Sequence, residues 1–270
     1  MLTGYNDCGL RAAVHQWPDL FRSDGYQVAA ETRGAAAAVG QSVHAGIAWS
    51  FVEKMRTDQL GDLDQAVDRA IADWDDQTGA GVQWDEITAT RRDATGQIAR
   101  MTRIFLAQKG MELRPMMVER RLTCRLPTGR TVGVYRLTGQ PDLVAEGGRL
   151  PDLKTGKVNR GHYQQLGGYS LLARAHDYQV TQPSTIFVKR LPMIAAQELP
   201  VETRYDRDFA ERSARAQVRR IVTDVENYLA DGARSTLAFP ANPMSNLCSA
   251  RYCRAYGTDT CEFWKAKEIK

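Results

Sequence analysis

The sequence predicts an α/β fold in which a mixed central β-sheet is flanked by helices and preceded by an N-terminal helical lobe. Between residues 34 and 108, apolar residues recur at helical spacing. From residue 116 onward the spacing becomes that of strands, and later strands alternate with helices. The 270 residues suffice to bury a sizeable core, and we see no internal repeat.

Composition excludes several classes of protein. Hydrophobic residues make up 43% and charged residues 25%, as in ordinary globular proteins. No apolar run approaches membrane-spanning length, and the N-terminus lacks the basic and apolar segments of a secretory signal. We therefore expect a cytoplasmic protein without membrane attachment. The net charge of +4 permits nucleic-acid binding but does not by itself argue for it.

The helical lobe begins with a helix from Gly34 to about Arg56. His44 lies in its apolar stripe, and the small residues of that stripe would allow a close approach to a sheet. A histidine on an apolar face is usually a core residue, so this alternative stays open. Two more helices are predicted at about residues 62–76 and 86–108.

Strands follow the lobe. Residues 116–126 and 131–137 have strand character and are separated by the turn at residues 127–129. Glu119 lies on the first of these strands, where a surface position is expected although the side chain could face a site.

A hairpin between Gly139 and Lys154 gathers the residues that point to chemistry. Two short apolar strands are joined by a paired-glycine turn at residues 147–148. Because side chains alternate along a strand, Asp152 and Lys154 face the same side, and the hairpin brings Asp142 near them. Two hard carboxylates beside an ammonium suit a magnesium or manganese ion next to a phosphate. An ordinary solvated hairpin is the alternative.

The remaining predicted elements complete the sheet and its flanking helices. They are a helix at 159–175, strands at 184–189 and 197–203, a helix at 206–230 and a loop at 232–247. Gln165 and Tyr169 are four residues apart and share one helix face.

We expect one domain over residues 1–270. Its predicted parts are an N-terminal segment (1–33), the helical lobe (34–110), a sheet-containing core (111–231) and a cysteine-containing C-terminal segment (232–270).

Taken in order, four motifs resemble those of the PD-(D/E)XK nuclease superfamily, and within it the RecB-like branch. These are Gly-x-x-x-His on a helix, Gly-x-x-Asp, Asp-x-Lys and Gln-x-x-x-Tyr. They stand at Gly40 and His44, Gly139 and Asp142, Asp152 and Lys154, and Gln165 and Tyr169. The resemblance covers residues 34–175 and implies a restriction-endonuclease-like core.

The resemblance also implies a role for each matching residue. Asp142 and Asp152 would hold Mg²⁺ or Mn²⁺, with His44 and the backbone carbonyl of Leu153 as further ligands. Lys154 would orient or help deprotonate the attacking water and stabilise charge on phosphorus.

The implied reaction is phosphodiester hydrolysis by metal-activated water. Gln165 and Tyr169 would position the strand and its scissile phosphate. By resemblance, the substrate is single-stranded DNA or a DNA end, the activity is that of an exonuclease, and the role lies in DNA repair or recombination. Recombination, helicase or CRISPR adaptation proteins are the implied partners. A catalytically inactive DNA-binding or scaffold module of the same fold is the alternative.

The cysteines extend the resemblance. An odd count of five in a cytosolic-looking chain argues against a disulfide framework. Cys8 precedes the core, and Cys248, Cys253 and Cys261 follow it, as in RecB-like nucleases of the AddB and CRISPR adaptation types that bind a [4Fe–4S] cluster. The C-x4-C-x7-C spacing is longer than in that group, so zinc and free thiols stay as alternatives. Cys124, on a strand, is expected to be a buried small residue.

Overall fold

The structure is a computed structural model that describes residues 2–126, 136–159, 161–230 and 234–267. The chain divides into two compact units. The larger unit contains residues 33–126 and 134–211, and the smaller contains residues 1–32, 127–133 and 212–270. The expectation of a single domain over residues 1–270 stays a prediction.

In chain order, the described helices are α1 (Leu2–Asp7), α2 (Gly9–Gln16), α3 (Pro18–Ser23), α4 (Ala35–Thr57), α5 (Leu63–Thr78), α6 (Arg91–Phe105), α7 (Tyr163–Arg174) and α8 (Arg207–Ala230). The described strands are β1 (Pro115–Val118), β2 (Leu122–Arg125), β3 (Arg136–Gly139), β4 (Leu143–Ala145), β5 (Arg149–Gly156), β6 (Gln182–Lys189) and β7 (Val201–Arg204). A π-helical turn, Leu106–Gly110, continues α6.

Within the described part of the larger unit, one sheet has the strand order β1-β4-β5-β6-β7. The β5–β6 pair is parallel, and the other three pairs are antiparallel. A parallel pair needs a crossover connection, and α7 provides it. This mixed sheet flanked by helices confirms the predicted fold class. Strands β2 and β3 form a separate antiparallel ribbon.

The helical lobe packs around one apolar core. Val43, Ile47 and Phe51 of α4 are buried together with Trp74 of α5 and Ile98 of α6. The same cluster continues into the sheet, since it also includes buried side chains of β4, β5 and β6. The lobe therefore fixes α4 against the strands that carry the predicted site.

The smaller unit has its own aromatic core. Phe21, Tyr228 and Phe239 lie with ring centroids 5.3–5.8 Å apart. The hydroxyls of Tyr5 and Tyr228 each donate a 2.6 Å hydrogen bond, to Asp224 and Asp24 respectively. These bonds satisfy the polar ends of buried aromatic side chains.

Several predicted boundaries were wrong. The strand expected over residues 116–126 is two strands in different sheets, because the chain turns at Glu119, whose φ is +46°. The helix expected from residue 86 begins at Arg91, where Thr90 and Asp93 form a capping box. The helix expected from residue 159 begins at Tyr163. The turn at residues 127–129 and the first part of the strand at 131–137 lie outside the described residues.

Candidate functional site

The β4–β5 hairpin carries two carboxylates of the predicted site. Gly147 and Gly148 both adopt positive φ, +70° and +72°, in the tight connection, a conformation that glycine adopts at little cost. Asp142 stands just before β4, and its Oδ2 accepts the Leu153 amide of β5 at 2.7 Å. This bond holds the Asp142 carboxylate against the strand that carries Asp152.

His44 reaches the hairpin from α4. Its Nδ1 lies 3.4 Å from Oδ1 of Asp142. The helix approaches β5 closely at Gly40, where an added Cβ would lie 2.4 Å from Oγ1 of Thr155. The glycine four residues before the histidine therefore permits the contact between helix and strand.

Glu119 is the site residue that sequence reasoning missed, since a surface position was expected for it. Its Oε1 lies 3.8 Å from Nδ1 of His44, and its other carboxylate oxygen accepts a 2.6 Å hydrogen bond from Gln140. The Glu119 amide also donates to the Asp142 carbonyl at 3.0 Å. Its side chain enters the site because its left-handed backbone ends β1, a conformation that no local pattern signalled.

Asp152 and Lys154 lie on one face of β5, with Nζ 2.5 Å from Oδ2. Asp152 is 1% exposed, and apart from the Lys154 ammonium no donor among the described residues contacts its carboxylate, so Oδ1 has no hydrogen-bond partner there. Burial, reinforced by the negative charge of Asp142, raises the pKa of Asp152 to about 7 despite Lys154. A cation bound beside this buried carboxylate would stabilise its ionised form.

The opposite charges of His44 and the neighbouring carboxylates set the pKa values of the other titratable groups in the site. Burial favours neutral His44, but Asp142, Glu119 and Asp152 outweigh it and raise the pKa of His44 to about 10. Burial would likewise raise the pKa of Asp142, yet His44, Lys154 and the Leu153 amide hold it below its usual value. The clustered acidic groups thus attract positive charge strongly.

The donor set fits a hard divalent cation. Among the described residues, His44, Glu119 and Asp142 are the group whose potential ligand atoms all lie within 4.8 Å of one another. Carboxylate oxygens with one imidazole suit magnesium or manganese. The backbone carbonyl of Leu153 was the expected ligand; in the structure the Leu153 N–H donates a hydrogen bond to the Asp142 carboxylate.

Helix α7 contributes the predicted Gln165 and Tyr169 pair. Nε2 of Gln165 donates to the Tyr169 hydroxyl at 3.0 Å. Gly139 accommodates the Tyr169 ring, since a Cβ at this glycine would lie 3.0 Å from it. Burial and then the charge of Asp152 raise the Tyr169 pKa, so the phenol remains protonated beside the acidic residues.

An open cleft of about 620 Å³ gives access to this arrangement. Its walls come from α4, the hairpin and the Glu119 region, and include Gly40, His44, Glu119, Asp142 and Lys154. Residues of three predicted motifs line this cleft (Gly40 and His44, Asp142, and Lys154), so groups far apart in sequence can act on one ligand. Gln165 and Tyr169 are not among the residues that line it.

The predicted cysteine set lies in the smaller unit. Cys8, Cys248, Cys253 and Cys261 line one small pocket, hereafter the thiol pocket. Cys8 caps α2 through a 3.5 Å hydrogen bond from the Arg11 amide. Burial raises the pKa of Cys253 to about 11 and also raises that of Cys261, and nearby sulfurs add to both shifts. Cys124, in the larger unit, is partly buried on β2.

The family model of the PD-(D/E)XK nuclease superfamily matches residues 1–258. No curated protein matches the chain. A crystal structure of a protein from Eubacterium rectale, named "putative exonuclease", is similar to this chain with a TM-score of 0.48 and 13% sequence identity. The similarity covers 81% of this chain and 75% of the Eubacterium rectale chain.

Within the part of the chain that the structure describes, none of the helices combines the length and apolar character needed to cross a bilayer.

The family match spans nearly the whole sequence and includes every residue of the four motifs. The chain therefore belongs to the PD-(D/E)XK nuclease superfamily.

Proposed function

We propose that this nuclease is a metal-dependent exonuclease of the RecB-like branch that hydrolyses phosphodiester bonds in single-stranded DNA or at DNA ends. The observation that carries the proposal is that His44, Asp142 and Lys154 line one cleft, from α4 and from the β4–β5 hairpin, with the buried Asp152 paired to Lys154 behind it. Superfamily membership supports hydrolysis of nucleic acid.

Four groups are proposed to hold Mg²⁺ or Mn²⁺: His44, Asp142, Asp152 and the carbonyl of Leu153. The buried carboxylate of Asp152 supports this assignment, because its Oδ1 has no partner among the described residues and Lys154 contacts only Oδ2. When bound, the ion supplies Lewis-acid stabilisation of the phosphate and lowers the pKa of a coordinated water. We add Glu119 as a further candidate ligand, since its carboxylate lies beside His44.

The remaining residues bind and orient. Lys154, held by Asp152, would orient the attacking water and donate to oxygens that gain negative charge in the transition state. Tyr169 would donate its hydroxyl to the strand, with Gln165 fixing the orientation of that hydroxyl. The catalytically inactive scaffold is the alternative, and the complete set of acidic and basic groups argues against it.

The test is digestion of linear DNA labelled at either end, beside circular single strands, with Mg²⁺ or Mn²⁺. Loss of linear but not circular DNA is expected of an exonuclease. Asp152→Asn and Lys154→Ala should each abolish cleavage while DNA affinity is largely kept. Asp68→Asn, on an exposed position of α5, is the matched control. Substantial turnover by both site variants would refute the proposed site.

For the thiol pocket we propose a structural [4Fe–4S] cluster bound by Cys8, Cys248, Cys253 and Cys261, with zinc as the alternative. A tetrahedral zinc site with bonds of about 2.3 Å places its sulfurs roughly 3.8 Å apart. Among the described residues, no three cysteine sulfurs come within 4.8 Å of one another. What supports a shared ligand is that all four cysteines line the same pocket.

Such a cluster would connect segments 240 positions apart, the separation of Cys8 and Cys248. Closing so long a loop removes unfolded-state entropy, and the binding energy counts as folding energy. Anaerobically purified protein should be brown and contain iron and acid-labile sulfide. Zinc without iron would favour the alternative. By the same branch resemblance, we propose recombination, helicase or CRISPR adaptation proteins as partners, which co-purification would test.

A further inference from the structure

The β2–β3 ribbon has two unlike faces. Leu122, Cys124 and Leu137 pack into a buried cluster with α7 residues such as Leu172. The opposite face is exposed and polar, and we call it the arginine face. It consists of Arg121, Thr123, Arg125, Arg136 and Thr138.

Two arginines of this face stand directly opposite each other, since Arg125 pairs with Arg136 in the ribbon register. Directly opposed side chains are close neighbours, and like charges in that position destabilise a ribbon. Among the described residues, neither arginine contacts a carboxylate, whereas Arg174 and Arg190 are each ion-paired. Within the described residues, the ribbon therefore holds two opposed positive charges without a carboxylate that neutralises them.

The ribbon also starts at the candidate site. Its base is the Leu122–Gly139 pair, and the residue after Gly139, Gln140, donates to Glu119 at 2.6 Å. The Arg125–Arg136 pair lies three residues further along, roughly 10 Å from that base. Nε2 of His176, just beyond α7, lies 3.1 Å from the Thr123 carbonyl oxygen and connects the ribbon to the helix layer of the larger unit.

We propose that the arginine face binds the phosphodiester backbone of the nucleic-acid strand that enters the cleft. This inference rests on the proposed nuclease function and names a contact surface for its substrate. A polyanion would neutralise the opposed Arg125 and Arg136, and arginine forks match phosphate geometry. Contacts to phosphates carry no sequence information, so the face would hold DNA of any sequence.

The test measures DNA affinity against salt. A labelled single-stranded oligonucleotide is titrated by fluorescence anisotropy in EDTA, which withholds the divalent ion and prevents cleavage. Each phosphate contact to a single strand contributes about 0.7 to the slope of log affinity on log salt. The double variant Arg125→Gln/Arg136→Gln should therefore flatten the slope by about 1.4, with weaker binding at low salt. The control Arg69→Gln/Arg92→Gln removes equal charge from exposed positions on α5 and α6 and should leave the slope unchanged.

Thermal melting separates binding from folding. Removing a repulsive pair should leave Tm equal or higher. Arg136→Glu, which creates an opposite-charge pair and lowers the net charge by as much as the double variant does, should raise Tm while also weakening DNA binding. A slope equal to that of the control overturns the inference. So does a fall in Tm that parallels the lost affinity, because the arginines would then support the fold.

Two further outcomes also decide against it. If polyglutamate binds wild-type protein as tightly as DNA and the double variant loses both, the face recognises acidic proteins instead. If wild-type protein neither binds nor cleaves DNA, the proposed function fails together with the inference. Cleavage by wild type with an unchanged slope in the variant refutes the arginine face alone.

Discussion

Gly40→Ala tests whether close approach of α4 to β5 positions His44. The substituted Cβ would lie 2.4 Å from Oγ1 of Thr155, about 1 Å inside ordinary van der Waals contact at 3.4 Å. The strand is central in its sheet, between β4 and β6. The clash therefore has to be relieved by movement of Thr155, of the helix, or of both.

Two effects of opposite sign decide the change in folding stability of Gly40→Ala. Alanine is the better helix former by about 1 kcal/mol inside a helix. Overpacking a close contact costs about 1–3 kcal/mol. We expect the clash to win, with a net loss of about 1 kcal/mol. A displacement of about 1 Å at a catalytic group can cost on the order of 10²-fold in rate, so kcat should fall far more than stability.

The assay compares kcat and Tm of wild type, Gly40→Ala, Thr155→Ala and the double variant. Removing the Thr155 hydroxyl in the double variant should restore activity, which a general loss of folding would not allow. Gly34→Ala is the control, because nothing lies within 4 Å of its added Cβ. Full activity and a raised Tm in Gly40→Ala would refute the packing argument.

Three further predictions follow from the site, the thiol pocket and a buried ion pair. His44→Ala should raise the Mn²⁺ concentration needed for half-maximal cleavage; a lower Tm with unchanged activity per folded molecule would instead mark a core histidine. Cys8→Ser should lose iron and lower Tm, and an unchanged Tm would show that no cluster supports the fold. Asp85→Asn should lower the free energy of unfolding by about 3 kcal/mol at neutral pH, since it leaves the buried guanidinium of Arg190, paired at 2.9 Å, without its carboxylate. Burial alone would raise the pKa of Asp85, but its hydrogen bonds with Arg190 and with backbone amides lower it. The difference in unfolding free energy between wild type and Asp85→Asn should therefore shrink as pH falls below about 4. Equal differences at pH 7 and pH 3 in denaturant titrations would contradict this.

The parts of the fold that could be predicted are those whose structure is specified by neighbouring residues in the sequence. Helix α4 was expected at residues 34–56 and runs from Ala35 to Thr57, because its apolar spacing persists over several turns. The hairpin was predictable because paired glycines and strand alternation specify it together. The first residue of a helix was harder to predict. The capping box between Thr90 and Asp93 fixes the start of α6 at Arg91, although the helical pattern of apolar residues extends before it.

Glu119 illustrates what a local code cannot specify. Its left-handed φ of +46° costs on the order of 1–3 kcal/mol for a residue other than glycine, so by itself the segment 116–126 favours one continuous strand. The turn is stabilised by groups distant in sequence: the Asp142 carbonyl accepts the Glu119 amide, and Gln140 donates to its carboxylate. Both partners belong to the segment that brings Asp142 to His44. The backbone of Glu119 is therefore a consequence of assembling the site, which explains why the pattern of its own strand predicted a surface position.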